Sequence, residues 1–293
     1  HPLTISSAIE YAPRYCSAGF LLMHATQPLD LSSRYQLACQ LAREAAQRGL
    51  RLYSQRDQLA VEHKGGFSQD VVSAADRELE VFIKAELMKL FPEDGFVGEE
   101  TGAQRLDARC IWVIDPIDGT ACFLHGLHNW CVSIGLLVDG VPAIGAVADP
   151  NHDELFHGGR GFGAWVNEQP LRVSEAQDLS AGLLGVGTFY AEGKQHFMPF
   201  LGKLLDAGGM FLRNGSGALM TAYVAAGRLL GYYETCLKSW DCVAGLALLA
   251  ESGGRCNNFL RGEGLLKGNP YLVACPGVYE QVADMIGPSL DAD

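Results

Sequence analysis

Trp112-Val113-Ile114-Asp115-Pro116-Ile117-Asp118-Gly119-Thr120 decides how this chain is read. The run from Cys110 to Ile114 is short, apolar and rich in β-branched residues, which predicts a fully buried strand. It leads directly into two carboxylates that flank a proline, followed by a glycine and a hydroxyl. Two carboxylates a few ångströms apart repel by roughly 4 kcal/mol at effective protein dielectrics. A hard divalent cation held by oxygen ligands turns that repulsion into affinity. Pro116 stiffens the turn that aims the acids, and Gly119 lets the backbone approach a ligand closely. A lone Asp-x-x-Asp in a loop is ordinarily a turn whose acids bond local N–H groups. Here further acidic sites repeat the pattern.

The chain has 293 residues, 48% hydrophobic and 19% charged, enough to bury a large core in one large or two joined domains. Net charge is -12, from 22 Lys and Arg against 34 Asp and Glu. That balance argues against nucleic acid or an anionic membrane as the main partner. Nine cysteines occur without a Cys-x-x-Cys pair or a metal-type spacing, and read as reduced, mostly buried thiols of a cytoplasmic protein. The longest early apolar run, Ala18 to Met23, is too short to span a bilayer.

Residues 1–27 carry no clear period and read as an N-terminal extension. From Leu29 to Tyr53 apolar residues recur at helical spacing, with Ser32 or Ser33 as N-cap. A second helix is predicted from about Val72 to Phe91, stopping before Pro92. After the Trp112 strand come strand-like runs at Trp130–Val138, Val141–Ala148, Glu154–His157, Gly163–Val166 and Leu171–Val173, separated by turn residues. They predict an antiparallel sheet. Beyond Ser174–Leu179 strands alternate with helices, the mark of an α/β arrangement. The expected organisation is an α+β metal-binding half over 28–175, then an α/β half over 176–293 that completes the site in a shared cleft.

Taken singly, the other acids have ordinary explanations. Gly98-Glu99-Glu100-Thr101-Gly102 suits a solvated turn. Asp76 falls in the first turn of its helix, where the dipole favours an acid by about 0.3–1 kcal/mol. Asp241 precedes an apolar helix and reads as its N-cap.

Together they carry a resemblance. Asp70-x5-Asp76, Gly98-Glu99-Glu100, Asp115-Pro-Ile-Asp118-Gly-Thr120 and Trp240-Asp241-x2-Ala-Gly resemble the inositol monophosphatase family of Mg²⁺-dependent, lithium-sensitive phosphatases. The likeness runs from about Leu29 to the C-terminus and includes Arg213, Gly227-Arg228, Tyr233-Glu234 and Ala250-Glu251-Ser252-Gly253-Gly254. It implies a layered αβαβα sugar-phosphatase fold, a homodimer and roughly two to three Mg²⁺ ions per site, each taking about six oxygens. Glu99, Asp115 and the Ile117 carbonyl would hold the first metal, and Asp115, Asp118 and Asp241 the second. Asp76 with Glu99 would hold a weaker third. Glu99 and Thr120 would orient the attacking water, and the N–H groups of Gly119 and Thr120 would cradle the phosphate. Substrate contacts would come from Asp118, Glu234, Ala218, Asp241 and Lys64.

The chain departs from the family pattern at Cys122, where Asn is usual, in Asn214-Gly215-Ser216-Gly217-Ala218, whose Gly and Ser/Thr are reversed, and at Lys238. The loop and Lys238 lie where the resemblance puts the alcohol part of the substrate. The resulting expectation is a phosphomonoesterase for a small polyol or sugar phosphate, inositol 1-phosphate foremost. Histidinol phosphate, fructose 1,6-bisphosphate and 3′-phosphoadenosine nucleotides are alternatives. A scaffold or regulatory protein with minor catalysis is the alternative of a different class.

Overall fold

The structure, a computed structural model, describes residues 29–59, 61–63, 71–188 and 193–290. Helical periodicity gives α1 (Leu31–Ser54), which buries Leu37, Leu41, Ala45 and Ala46 on one stripe. It starts at Leu31, so Ser32 and Ser33 lie inside its first turn instead of capping it. β1 (Val61–His63) and β2 (Val71–Ser73) pair antiparallel. Ser73 then caps α2 (Ala74–Leu90) in a capping box with Asp76, whose carboxylate accepts the Ser73 N–H at 2.9 Å.

Next come β3 (Gly95–Gly98), β4 (Gly102–Gln104), β5 (Cys110–Asp118), α3 (Thr120–Leu124), β6 (Cys131–Val138), β7 (Val141–Asp149), β8 (Glu154–Gly159), β9 (Gly163–Val166) and β10 (Gln169–Pro170). They form an eight-stranded sheet in the order β10-β9-β8-β7-β6-β5-β3-β4. Its neighbours pair antiparallel except β3 and β5, which run parallel. The sheet is thus mixed, because the chain reverses at β4 and again before β5, re-entering on the other side of β3 in its direction. The predicted strand at Leu171–Val173 is absent: pairing ends at Pro170, which has no N–H to extend the ladder.

The second half contains β11 (Leu183–Gly187), α4 (Lys194–Asp206), β12 (Met210–Leu212), α5 (Gly217–Ala225), β13 (Gly231–Leu237), α6 (Ser239–Ser252), β14 (Arg255–Cys256), α7 (Gly264–Lys267), β15 (Asn269–Ala274) and α8 (Pro276–Ile286). Its five-stranded sheet has the order β12-β11-β13-β15-β14.

Side-chain burial shows how the layers stack. Ala75 and Leu79 of α2, with Leu50 and Tyr53 of α1, pack on Ile117, Phe123 and Trp130. A central core joins Val147 and Phe156 of the larger sheet, α5 and α6, and Tyr232 and Tyr271 of the smaller sheet. Phe200 of α4 and Val282 of α8 cover Leu184 and Tyr233 on the far face. This is the expected αβαβα layering. α6 lies inside it and is apolar almost all round, as a helix between two sheets must be.

Candidate metal centre

β5 carries its ladder four residues past the apolar run because its register with β6 shifts between Asp115 and Asp118. Pro116 falls in this bulge, where a missing N–H costs no ladder bond. The turn inferred for Pro116 is therefore a β-bulge that re-aims two strand acids. Ile117 anchors it, its side chain fully buried against Ala75, Leu79, Phe123 and Trp130.

The bulge brings Asp115 and Asp118 together with Asp241, each offering a carboxylate oxygen within 4.8 Å of the others. Asp241 stands in the first turn of α6, but the N-cap is Lys238. The helix starts earlier than its apolar pattern indicates, so Asp241 is a first-turn acid and not the cap. Val243 seats that end of α6 on Val97, Ile111, Val113 and Leu137 of the larger sheet. Burial first, then the charges of Glu99, Asp118 and Asp241, pushes the Asp115 carboxyl well above the usual range. Burial, then Asp118 and Glu99, does the same to Asp241.

Asp118 is held differently. Ser216 Oγ donates to its Oδ2 at 2.5 Å, Ala218 N at 2.6 Å, and Gly217 N to Oδ1 at 3.3 Å. Burial pushes Asp118 up to about 6, and these donors restrain the rise. The buried Cys131 thiol lies 3.9 Å away. Ser216 also caps α5 by accepting the Leu219 N–H at 3.2 Å. Ser216 thus places a hydroxyl on the metal-loop acid.

Glu99 sits at the tight turn between β3 and β4, its N–H on the Ile114 carbonyl at 3.3 Å. Thr120 Oγ1 lies 2.8 Å from Asp76 Oδ1 and 3.0 Å from the Ile117 carbonyl, so its proton serves one or the other. Gly119 precedes α3 with φ +97°, and a Cβ there would fall 2.5 Å from the Asn129 carbonyl oxygen. Only glycine fits both demands.

A cleft of about 470 Å³ opens beside the acids, lined among others by Asp118, Cys122, Arg213, Glu234, Lys238 and Asp241. Burial pushes Glu234 up to about 7, against the pull of Tyr232, whose hydroxyl donates to its Oε2 at 2.6 Å. Cys122 Sγ donates to the Asn214 carbonyl at 3.4 Å and links the α3 segment to the Ser216 loop. Lys238 lines the cleft but gives its ammonium to the Lys267 carbonyl at 2.8 Å. Ala218 spends its N–H on Asp118. His125 and His128 are exposed. Lys64 and Asp70 lie outside the described residues.

The profile of the inositol monophosphatase family matches residues 30–286. This chain belongs to the inositol monophosphatase family. Nus factor SuhB of Haemophilus influenzae is 34% identical over 262 residues, 88% of this chain and 97% of that protein. The extragenic suppressor protein suhB from Bartonella henselae superposes with a TM-score of 0.81 at 31% identity, over 87% of this chain and 99% of that one. Inositol monophosphatase from Anabaena (Nostoc) sp. PCC 7120 gives 0.75 at 30% identity, over 90% and 100%.

The donor set fits this phosphatase family: oxygens only, with the Asp115 and Asp241 carboxyls driven toward protonation first by burial and then by the charges of the acids around them. The exclusion of nucleic acid drawn from net charge gains no support from relatives named Nus factor. Among the described residues no helix is long and apolar enough to cross a membrane, and the cysteines are free thiols. Sequence reading missed Tyr232 and the Asp118 role of Ser216. Their signals were present: Tyr232 shares a strand face with Glu234 at i−2, and Ser216 directly precedes a helix.

Proposed function

We propose that this chain is a Mg²⁺-dependent, lithium-sensitive phosphomonoesterase of the cytoplasm, acting on a small polyol or sugar phosphate, foremost inositol 1-phosphate. The observation that carries this reading is the cluster of Asp115, Asp118 and Asp241, of which Asp118 and Asp241 line the cleft. Residues 28–175 supply most of the metal ligands, and 176–293 add Asp241 and the alcohol-binding wall. Asp115, Asp118, Asp241, Glu99 and the Ile117 carbonyl would hold the metals, with Asp76 contributing to a weaker third position. Bound there, Mg²⁺ supplies charge neutralisation and Lewis acidity for in-line displacement at phosphorus.

The chain's own groups do the rest. Thr120, held beside Asp76, orients the attacking water together with Glu99. The Gly119 and Thr120 N–H groups receive the phosphate. Glu234, steadied by Tyr232, accepts hydrogen bonds from substrate hydroxyls. Ala218 acts by holding Asp118, and Lys64 adds positive charge near the phosphate. Two copies assemble as a homodimer, and exposed Met210 and Phe211 on edge strand β12 give it apolar surface to cover.

Phosphate release from a panel of polyol, sugar and nucleotide monoesters, with and without Mg²⁺, tests the reading. Mg²⁺-dependent turnover that vanishes in Asp118→Asn is expected. Flat activity across the panel would reject it. The name Nus factor, carried by the relatives, favours a second, transcription-related role as a binding protein. In that case Asp118→Asn loses turnover yet still binds transcription complexes.

A further inference from the structure

Glu80 lies on α2 one turn beyond Asp76 and is fully buried. Burying a carboxylate is costly unless donors meet it. Here each oxygen is met: Oε2 accepts the Glu100 N–H at 2.8 Å and Oε1 the Thr101 N–H at 2.7 Å. Both donors belong to the turn that begins with Glu99. On the other side, the N–H of Glu99 is bound to the carbonyl of Ile114, next to Asp115. Glu99 is therefore fastened on both flanks, by the sheet before it and by Glu80 after it. Gly98 is part of the arrangement, since a Cβ there would overlap Glu80 Oε1. Lys84, a further turn along α2, donates to Thr101 Oγ1 at 3.2 Å and braces the same turn.

We infer that Glu80 is a positioning residue, holding the β3–β4 turn so that Glu99 presents its carboxylate to the metal cluster. Asp76 and Glu80 are four apart and share one face of α2. Asp76 holds Thr120, and Glu80 holds the turn of Glu99. One rigid helical turn thus sets the spacing between the two groups that orient the attacking water. A cap that served only the fold would contribute stability and leave metal affinity alone. The inference rests on the metal-centre reading, and the test separates the two.

Mg²⁺ binding is measured by calorimetry on the wild type, Glu80→Gln, Glu99→Gln and the double variant. The amide of Glu80→Gln keeps the volume but turns an NH₂ toward one of the backbone N–H donors. Outer-shell partners of ligands typically account for about 10- to 100-fold in metal affinity, so Glu80→Gln should weaken Mg²⁺ binding about tenfold. If it acts through Glu99, adding it to Glu99→Gln should weaken binding little further, because coupled residues are non-additive. Unchanged affinity in Glu80→Gln overturns the inference, as does an equal loss with and without Glu99. Unchanged affinity in Glu99→Gln overturns the metal role of Glu99 itself, and the inference with it. Glu80→Asp, which draws the charge back by one methylene, should shift affinity in the same direction if the amide variant fails to fold.

Discussion

Replacing Tyr232 by Phe should move the pH at which the protein begins to favour polyol substrates. Tyr232 and Glu234 alternate onto one face of β13, and the phenol donates to Glu234 Oε2 at 2.6 Å. Burial pushes Glu234 up to about 7, and the Tyr232 hydrogen bond is the foremost influence holding it down. A hydrogen bond to a charged acceptor is worth about 1.5–3 kcal/mol, and about 1.4 kcal/mol corresponds to one pH unit. Losing the phenol should therefore raise the inflection by about 1–2 pH units. The assay is kcat/KM against pH for a polyol phosphate, with an aryl phosphate lacking hydroxyls as internal control. In the wild type the polyol preference rises as pH passes through about 7, when Glu234 ionises and can accept substrate hydroxyls. In Tyr232→Phe that rise occurs later, and in Glu234→Gln it disappears. The folding sign is opposite: a raised carboxyl keeps in the native state a proton that the unfolded chain releases. Stability from this group is therefore lost between the ordinary carboxyl value of 4.5 and about 7 as pH rises. An inflection unmoved in Tyr232→Phe would refute the assignment of Glu234 as the group being titrated.

Ser216→Ala should destabilise the fold by about 2.5–4 kcal/mol, combining a lost cap of about 1 with a lost bond to charge of about 1.5–3; a loss below about 1 kcal/mol in urea melts would contradict the geometry. Chelating divalent cations should lower the melting temperature, increasingly so toward higher pH. Asp115 and Asp241 carry raised pKa values, so without a cation the folded state must hold protons that the unfolded chain has released. Saturating Mg²⁺ should flatten that dependence, and parallel curves with and without Mg²⁺ would count against a shared site. Gly119→Ala should lose most turnover and about 1–2 kcal/mol of stability from its left-handed backbone alone, with full activity refuting the demand for close approach to Asn129.

Much of this protein is legible along the chain because its determinants are local. The apolar run into Asp115 marks a buried strand, and Asp76 falls in the first turn of its helix as expected, although that helix starts at Ala74 and not at Val72, which pairs in β2. The acidic motifs in their order identify the family, whose profile spans residues 30–286. Periodicity reports which face of an element is buried, since burial repeats with the element's own geometry. It does not report what covers that face. Asp118 reads in sequence as a loop acid, yet its partners Ser216 and Ala218 lie 98 and 100 residues away and reach it only because α5 is sandwiched between the sheets. Glu80 reads as one more polar helix residue, and only the docking of α2 on the sheet delivers the turn donors that justify its burial. Pro116 reads as a turn former, and pairing with β6 makes it a bulge. A strand or helix is specified by neighbours in sequence, whereas a buried carboxylate is specified by whichever donors the packed layers bring within about 3 Å of it. That selection is made only when the chain is folded.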